Sequence, residues 1–377
     1  MSTASYDPFA RGDYPVGVRS EEWHDAARDR TLPVEIWYPA TDDYAGQDLD
    51  PATWDVFPPV WAADGVASPD EMCAQAAVRD AAMRDLGEPA PLVLLIHGWA
   101  GFRRESTFIA THLAGRGYIV VSPDVIGSTW DDVDALLTSL EPVGRREDLI
   151  DHAEASAVAR VGDIHFLIST AVERLPVRDG GVGVTGASFG GYSSLVAPTS
   201  DGRVAAIAAM CPANDDGMVM SGGSLYNSRI RAPWKSDPAT LILVGDRDSL
   251  LPLYGQLTLL KEVPATRKQV VAMARADHNH FVDDVELGQA WLGEFAERVG
   301  RIFPDGPGNW SLIAQCVQPM EALVPGADAK LAWQGIIAAH FDAHLRDDPQ
   351  AMAVVADIEA LARQVGVDVT TIGTAGD

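Results

Sequence analysis

No stretch of the chain approaches the ~18 uninterrupted apolar residues that a membrane-crossing helix needs, so integral membrane association is not expected. Met1 to Pro15 lacks the basic start and apolar run of a secretory leader, and a cytoplasmic location is the corresponding expectation. Cysteine is scarce. Cys73, Cys211 and Cys316 are widely spaced and odd in number, which argues against a disulfide framework or a paired-cysteine zinc motif. Each is expected to serve as a small buried hydrophobe. There is no His-Glu-x-x-His, and no Gly-x-Gly-x-x-Gly opens the first strand–helix unit, so neither a metal nor another cofactor is expected. Asp277-His278-Asn279-His280 with Asp283-Asp284 could be drawn as a metal cluster, but neighbours in an extended loop rarely converge on one ion. Positive charge is short as well. Against 54 acidic residues stand 28 basic ones, and the net charge of -26 is spread along the chain. That argues against nucleic acid and anionic membrane surfaces as partners. It leaves either a heavily hydrated surface or an acidic one that recruits cationic substrates.

What is present is enough apolar material, 47% of 377 residues, for one sizeable core. A single domain is expected, with its core at about 15–40 and 90–300, an insertion at 41–90 and a helical C-terminal extension at 301–377. Two strands, Val16 to Trp23 and Leu32 to Tyr38, read as an antiparallel hairpin, and Pro39 ends the second. The insertion holds Trp54, Phe57, Pro58, Pro59 and Trp61, then a helix-like run from Pro69 to Leu86. Its aromatics either form a cap over a substrate pocket or pack against the core.

From Pro91 onward the chain alternates strand and helix. Pro91 to Ile96 is a continuous apolar run of strand length, the mark of a strand buried on both faces of a parallel sheet. A helix at Glu105 to Arg116 and a strand at Tyr118 to Ser122 follow, implying a right-handed crossover. Residues 124–150 read as an acidic loop, and Glu154 to Leu175 as an amphipathic helix with Val158, Val161, Ile164, His165, Ile168 and Val172 on one stripe. Further strands are expected at Val182 to Thr185, Val204 to Met210, Thr240 to Val244 and Gln269 to Ala274, the last of them. Helices follow, broken at Pro304 to Gly308 and at Pro325-Gly326, with Ala332 to Leu345 the most strongly helical and the last few residues expected to be frayed. The fold class is therefore α/β, a doubly wound, mostly parallel sheet with an N-terminal antiparallel hairpin.

Three loops after buried strands carry chemistry. Gly186-Ala187-Ser188-Phe189-Gly190 stands between a strand and a helix, the setting of a nucleophile elbow, where small neighbours leave room for a strained serine. An acid near 246–248 and a histidine near 278–280 follow, in the order Ser, Asp, His. A serine hydroxyl is a weak nucleophile until a neutral imidazole takes its proton, and that imidazole needs a carboxylate to fix its tautomer. Asp248 is favoured as the acid, with Asp246, Asp215 and Asp216 as alternatives. His278 is favoured over His280 as the base. The backbone N–H groups of Trp99 and Phe189 are the expected oxyanion donors, and His97 and Phe102 are assigned to the substrate pocket beside them. His97 is expected to shape the oxyanion loop through hydrogen bonds, not to act as base.

With these residues in place, the chain resembles the α/β-hydrolase superfamily over about residues 90–300. Within it, the chain is similar to the branch containing platelet-activating-factor acetylhydrolases and predicted dienelactone hydrolases. The segments that carry this are Arg30-Thr-Leu-Pro-Val-Glu-Ile-Trp-Tyr-Pro-Ala40, His97-Gly-Trp-Ala-Gly-Phe-Arg103, Gly186-Ala-Ser-Phe-Gly-Gly191 and Ala276-Asp-His-Asn-His-Phe281. The first is the most diagnostic, because a hairpin ending in Trp-Tyr-Pro-Ala is not general to the superfamily. The resemblance implies hydrolysis of a small-molecule or lipid-like ester through an acyl-enzyme, without metal. In part of that branch the carboxylate follows the strand after the elbow, which here points to Asp215 or Asp216; Asp248 occupies the position most other α/β-hydrolases use. The Ala-x-His-Asn pattern supports His278. Two other readings use the same residues: an acyltransferase, and a catalytically silent binding protein. Acyl length and oligomeric state are not legible.

Overall fold

The computed structural model describes residues 6–60, 67–68, 71–217 and 224–373. Twelve strands occur among them: β1 (Val16–Asp25), β2 (Arg30–Pro39), β3 (Asp55–Phe57), β4 (Cys73–Gln75), β5 (Val78–Arg79), β6 (Leu92–Ile96), β7 (Ile119–Pro123), β8 (Val182–Ala187), β9 (Val204–Met210), β10 (Ala239–Gly245), β11 (Lys268–Met273) and β12 (Val369–Ile372). Ten of them form one sheet in the order β12-β11-β10-β9-β8-β6-β7-β2-β1-β5. The six strands from β11 to β7 run parallel, and β12 on one side and the β2–β1 hairpin on the other close it antiparallel.

The apolar runs explain why both faces are covered. Along β6, Val93 and Leu95 join one core and Leu92, Leu94 and Ile96 the other, as the two-residue period of a strand dictates. On the second face pack the helices α2 (Trp130–Leu140), α3 (Arg146–Arg174), α4 (Phe189–Ser200), α5 (Asn227–Ile230), α6 (Leu253–Glu262), α7 (Val285–Ile302) and α8 (Trp310–Cys316). On the first lie α1 (Thr107–Gly115) and α9 (Gly326–Leu345), with α10 (Pro349–Val355) and α11 (Ile358–Arg363) beyond it. Helix α9 is buried nearly all round, which is why its sequence has no clear polar stripe. Among the described residues no helix is long and apolar enough to cross a membrane.

Several expectations need correction. The stretch 72–86 contains no helix; Cys73–Gln75 pairs antiparallel with Asp55–Phe57, and Val78–Arg79 extends the main sheet beside β1. Residues 124–150 are not all loop, because α2 and the first turn of α3 lie there. On α3 the buried face runs through Ala157, Arg160, Ile164, Leu167, Ile168 and Ala171; Val158 is 56% exposed and His165 also faces outward. Met273 does not end the last strand, since β12 adds to the edge of β11. Trp61, Pro69 and the frayed C-terminus fall outside the described residues.

Candidate active site

The four loops that carry the expected chemistry leave the sheet at its carboxyl edge, after β6, β8, β10 and β11, where open α/β sheets bind ligands. They surround a cavity of about 1160 Å³ lined by Gly98, Trp99, Phe102, Ser188, Phe189 and His278 among others.

Ser188 stands between β8 and α4 at φ 58 and ψ -113, a backbone conformation that a side chain rarely adopts. Close packing holds it there. A Cβ on Gly186 would lie 2.1 Å from the Ile96 carbonyl oxygen, one on Gly190 1.8 Å from that same oxygen, and one on Gly191 2.5 Å from the Met210 oxygen. Gly191 is thus a third obligatory glycine of this turn, beyond the two expected from the motif.

His278 Nδ1 lies 2.9 Å from Asp248 Oδ2, and both side chains are buried. Asp248 is anchored in turn by the Leu250 and Leu251 N–H groups, which donate to its Oδ1 at 2.9 and 2.7 Å. Burial works against a charge on His278, but the adjacent Asp248 carboxylate, with Cys211 next to it, raises its pKa well above the ordinary imidazole value. Two of the alternatives are engaged elsewhere. Asp246 accepts the Arg275 N–H, and Asp215 accepts the N–H groups of Leu225, Tyr226 and Asn227. His280 is a buried strut: its Nδ1 accepts the Asp277 N–H at 3.0 Å and its Nε2 donates to Val324 O at 3.1 Å, with burial lowering its pKa. Among the described residues, Cys211, Asp248 and His278 place potential metal-ligating atoms within 4.8 Å of one another. Two of these three form the pair just described, and burial raises the Cys211 thiol pKa. The carboxylates of Asp277 and Asp283 are taken up by Ser249 with Gln289 and by Thr107 with Phe108.

The loop after β6 is built around a buried cation. Arg160, from α3, donates to His97 O at 2.9 Å and to Gly98 O at 3.2 Å, with Ser193 and Ser128 taking its remaining bonds. Its guanidinium lies 4.2 Å from the centre of the Phe189 ring. His97 Nδ1 donates to Gly98 O at 2.7 Å and its Nε2 accepts the Val125 N–H at 2.8 Å, an arrangement that fits only the neutral ring. Burial, helped by Arg160, lowers the pKa of His97 to about 3. His97 therefore does not line the cavity, contrary to its expected place in the pocket; it sits behind the loop. Phe102 does line it. Glu105 accepts the Gly98 N–H at 2.8 Å, and burial raises its pKa to about 8. Burial lowers the Arg160 pKa to about 10, so the guanidinium stays charged at neutral pH beside a neutral His97.

The consequence is geometric. Gly98 C=O and Trp99 N–H belong to one planar trans peptide and point in opposite directions, so two donors on the oxygen turn that N–H away from Arg160. Neither the Trp99 nor the Phe189 N–H has an acceptor among the described residues. The histidine loop is tied to the same region, because Asp283 caps the start of α1 through the Thr107 and Phe108 N–H groups at 3.0 and 2.9 Å.

Sequence reasoning missed Arg160 and Glu105, and it weighed Asp277 and Asp283 only as members of a metal cluster. A signal existed for Arg160, a charge four residues before Ile164 on the apolar stripe of α3. The other three acids owe their places to contacts across loops. The insertion does reach the cavity, through Phe57, Val60, Met72 and Cys73, so Cys73 is a wall residue and not part of the core; Trp54 instead hydrogen-bonds to Asp48 O within its own loop.

A family model described as the dienelactone hydrolase family matches residues 79–288, more than half of the chain and a span that includes all four loops. Among solved structures, the ferulic acid esterase from Streptomyces cinnamoneus superposes with a TM-score of 0.57 at 22% identity, covering 92% of this chain and 95% of that one. At that identity the likeness speaks to the shared fold. No curated protein sequence matches the chain. By the family match, together with the sheet and its loops, this chain belongs to the dienelactone hydrolase family and is a carboxylic ester hydrolase of the α/β-hydrolase fold.

Proposed function

We propose that the chain hydrolyses esters through an acyl-enzyme on Ser188, with His278 as base and then acid and Asp248 as its orienting carboxylate. The observation that carries this is the buried His278–Asp248 contact of 2.9 Å on the same cavity as a serine held at φ 58. Ser188 Oγ attacks the ester carbonyl and His278 Nε2 takes its proton. The imidazolium, stabilised by Asp248, returns the proton to the leaving alcohol, and water repeats the sequence to release the acid. The developing oxyanion meets the N–H groups of Phe189, at the start of α4, and Trp99; the helix N-terminus adds a favourable dipole. The Ser188 hydroxyl has no hydrogen bond among the described residues, and the reading requires it to meet Nε2 when substrate is bound. Such contacts commonly tighten when substrate fills the site.

Intact-mass labelling with a fluorophosphonate tests the reading. One adduct on the native protein and none on Ser188→Ala is the expected result, and an unlabelled native protein would refute it. The raised pKa of His278 carries a second expectation. The base works only when neutral, so kcat/KM should rise with pH through a midpoint above the ordinary ~6.5 of imidazole, and activity should be lost as pH falls through it. A profile flat from about pH 5 to 9 would remove histidine as the base.

A further inference from the structure

The cavity has two chemically different ends, and helix α7 spans them. Near the histidine loop it presents Glu286; nine residues on, roughly 13 Å along the axis, it presents Phe295. At the far end five cavity-lining rings form a continuous array. Trp99 meets Phe295 and Trp310 at centroid distances of 5.7 and 6.4 Å, Phe295 stacks on Trp291 at 4.5 Å, and Trp291 meets Trp130 at 5.5 Å. Edge-on and offset rings of this kind accept a further flat ring. The array starts at Trp99, whose N–H is the proposed oxyanion donor, so it begins where the ester carbonyl sits.

The other end is acidic. Glu71, Asp284 and Glu286 line the cavity there and are all exposed. The two basic residues in the lining are engaged: Arg104 donates to buried Glu35 at 2.9 Å, and Lys330 to Asp283 O. The leaving alcohol must lie beside His278, which protonates it, and that is the side on which Asn279, Asp284 and Glu286 stand. The acyl group is then directed toward Trp99 and the rings.

Resting on the reading of Ser188 as nucleophile, we propose that the site takes esters of aryl or arylalkyl acids with uncharged alcohols, the ring array holding the acyl group and the acidic end excluding an alcohol that carries a carboxylate. No cation among the described lining residues is available to neutralise such a group, and burying it beside like charges is costly.

The test compares methyl phenylacetate with methyl octanoate, which have the same number of acyl carbons, and the phenylacetyl ester of glycolamide with that of glycolate, in which the carboxylate sits on the alcohol. At neutral pH, kcat/KM should favour each first member by about tenfold or more. Phe295→Ala should reduce the aryl-to-alkyl ratio, mainly through KM, and Glu71→Gln with Glu286→Gln should narrow the gap between the glycolamide and glycolate esters. Equal rates for the aryl and straight-chain esters, or for the glycolamide and glycolate esters, would overturn the proposal. If Ser188 is labelled and small esters are cleaved while these preferences are missing, the substrate assignment fails and the esterase reading stands. If Ser188 is not labelled and no ester is cleaved, both fall.

Discussion

Asp248→Asn is expected to lower kcat by about 10⁴-fold while the protein stays folded. The substitution preserves shape and retains an oxygen for the Leu250 and Leu251 N–H groups that now bind Oδ1. What changes is the atom facing His278 Nδ1, now 2.9 Å from a carboxylate oxygen. An amide nitrogen there is a donor, so Nδ1 must become the acceptor and the ring proton moves to Nε2. A proton, in place of a lone pair, then faces Ser188. The imidazolium also loses its counter-charge, which removes the main force raising the His278 pKa. Steady-state kinetics on a variant with unchanged thermal unfolding checks this. A fall of less than about tenfold would mean that another carboxylate does the work, and the spent hydrogen bonds of Asp246 and Asp215 make that the less expected outcome.

Gly190→Ala is expected to abolish activity and to lower stability by about 3 kcal/mol or more, at the upper end of what overpacking costs. The added methyl would sit 1.8 Å from Ile96 O and 2.8 Å from Ile96 C, and both are backbone atoms of β6. No side chain can swing aside; either α4 lifts off the sheet or the end of β6 shifts. Either movement displaces Phe189 N–H from the His97–Gly98 loop, so the two proposed oxyanion donors separate. Gly293→Ala is the control. It lies within α7 with nothing within 4 Å of the added atom, and it should stabilise by about 0.5–1 kcal/mol through helix propensity. Thermal denaturation of the pair checks both signs. Equal melting temperatures would show that the elbow tolerates a side chain.

The parts of the molecule that could be read from sequence are those where local pattern and tertiary role coincide. Leu92–Ile96 and Val204–Met210 are apolar throughout because both faces of the sheet are covered, and the elbow glycines are required by contacts within one strand–turn–helix unit. Where pairing is non-local, the pattern gave little. Cys73–Gln75 is three residues long and finds its partner at Asp55–Phe57, and β12 is a four-residue edge strand with two threonines. Helix α2 was hidden by Asp131, Asp132 and Asp134, yet Thr129 and Asp132 form a capping box and Val133 and Leu137 face the core. That signal was present in the Thr-x-x-Asp spacing. At the site, the three loops were legible from the strand ends that bear them, but the choice between His278 and His280 depends on which carboxylate or carbonyl each ring meets. Only the packed structure supplies that.

Arg160 stands 62 residues along the chain from Gly98, whose carbonyl it holds, and it does not line the cavity. The direction of a donor at the reacting carbonyl is thereby set by a side chain that never meets substrate. Two relatives could share every wall residue and still differ in turnover because one has drifted at this position. An alignment restricted to the cavity lining would score them as identical.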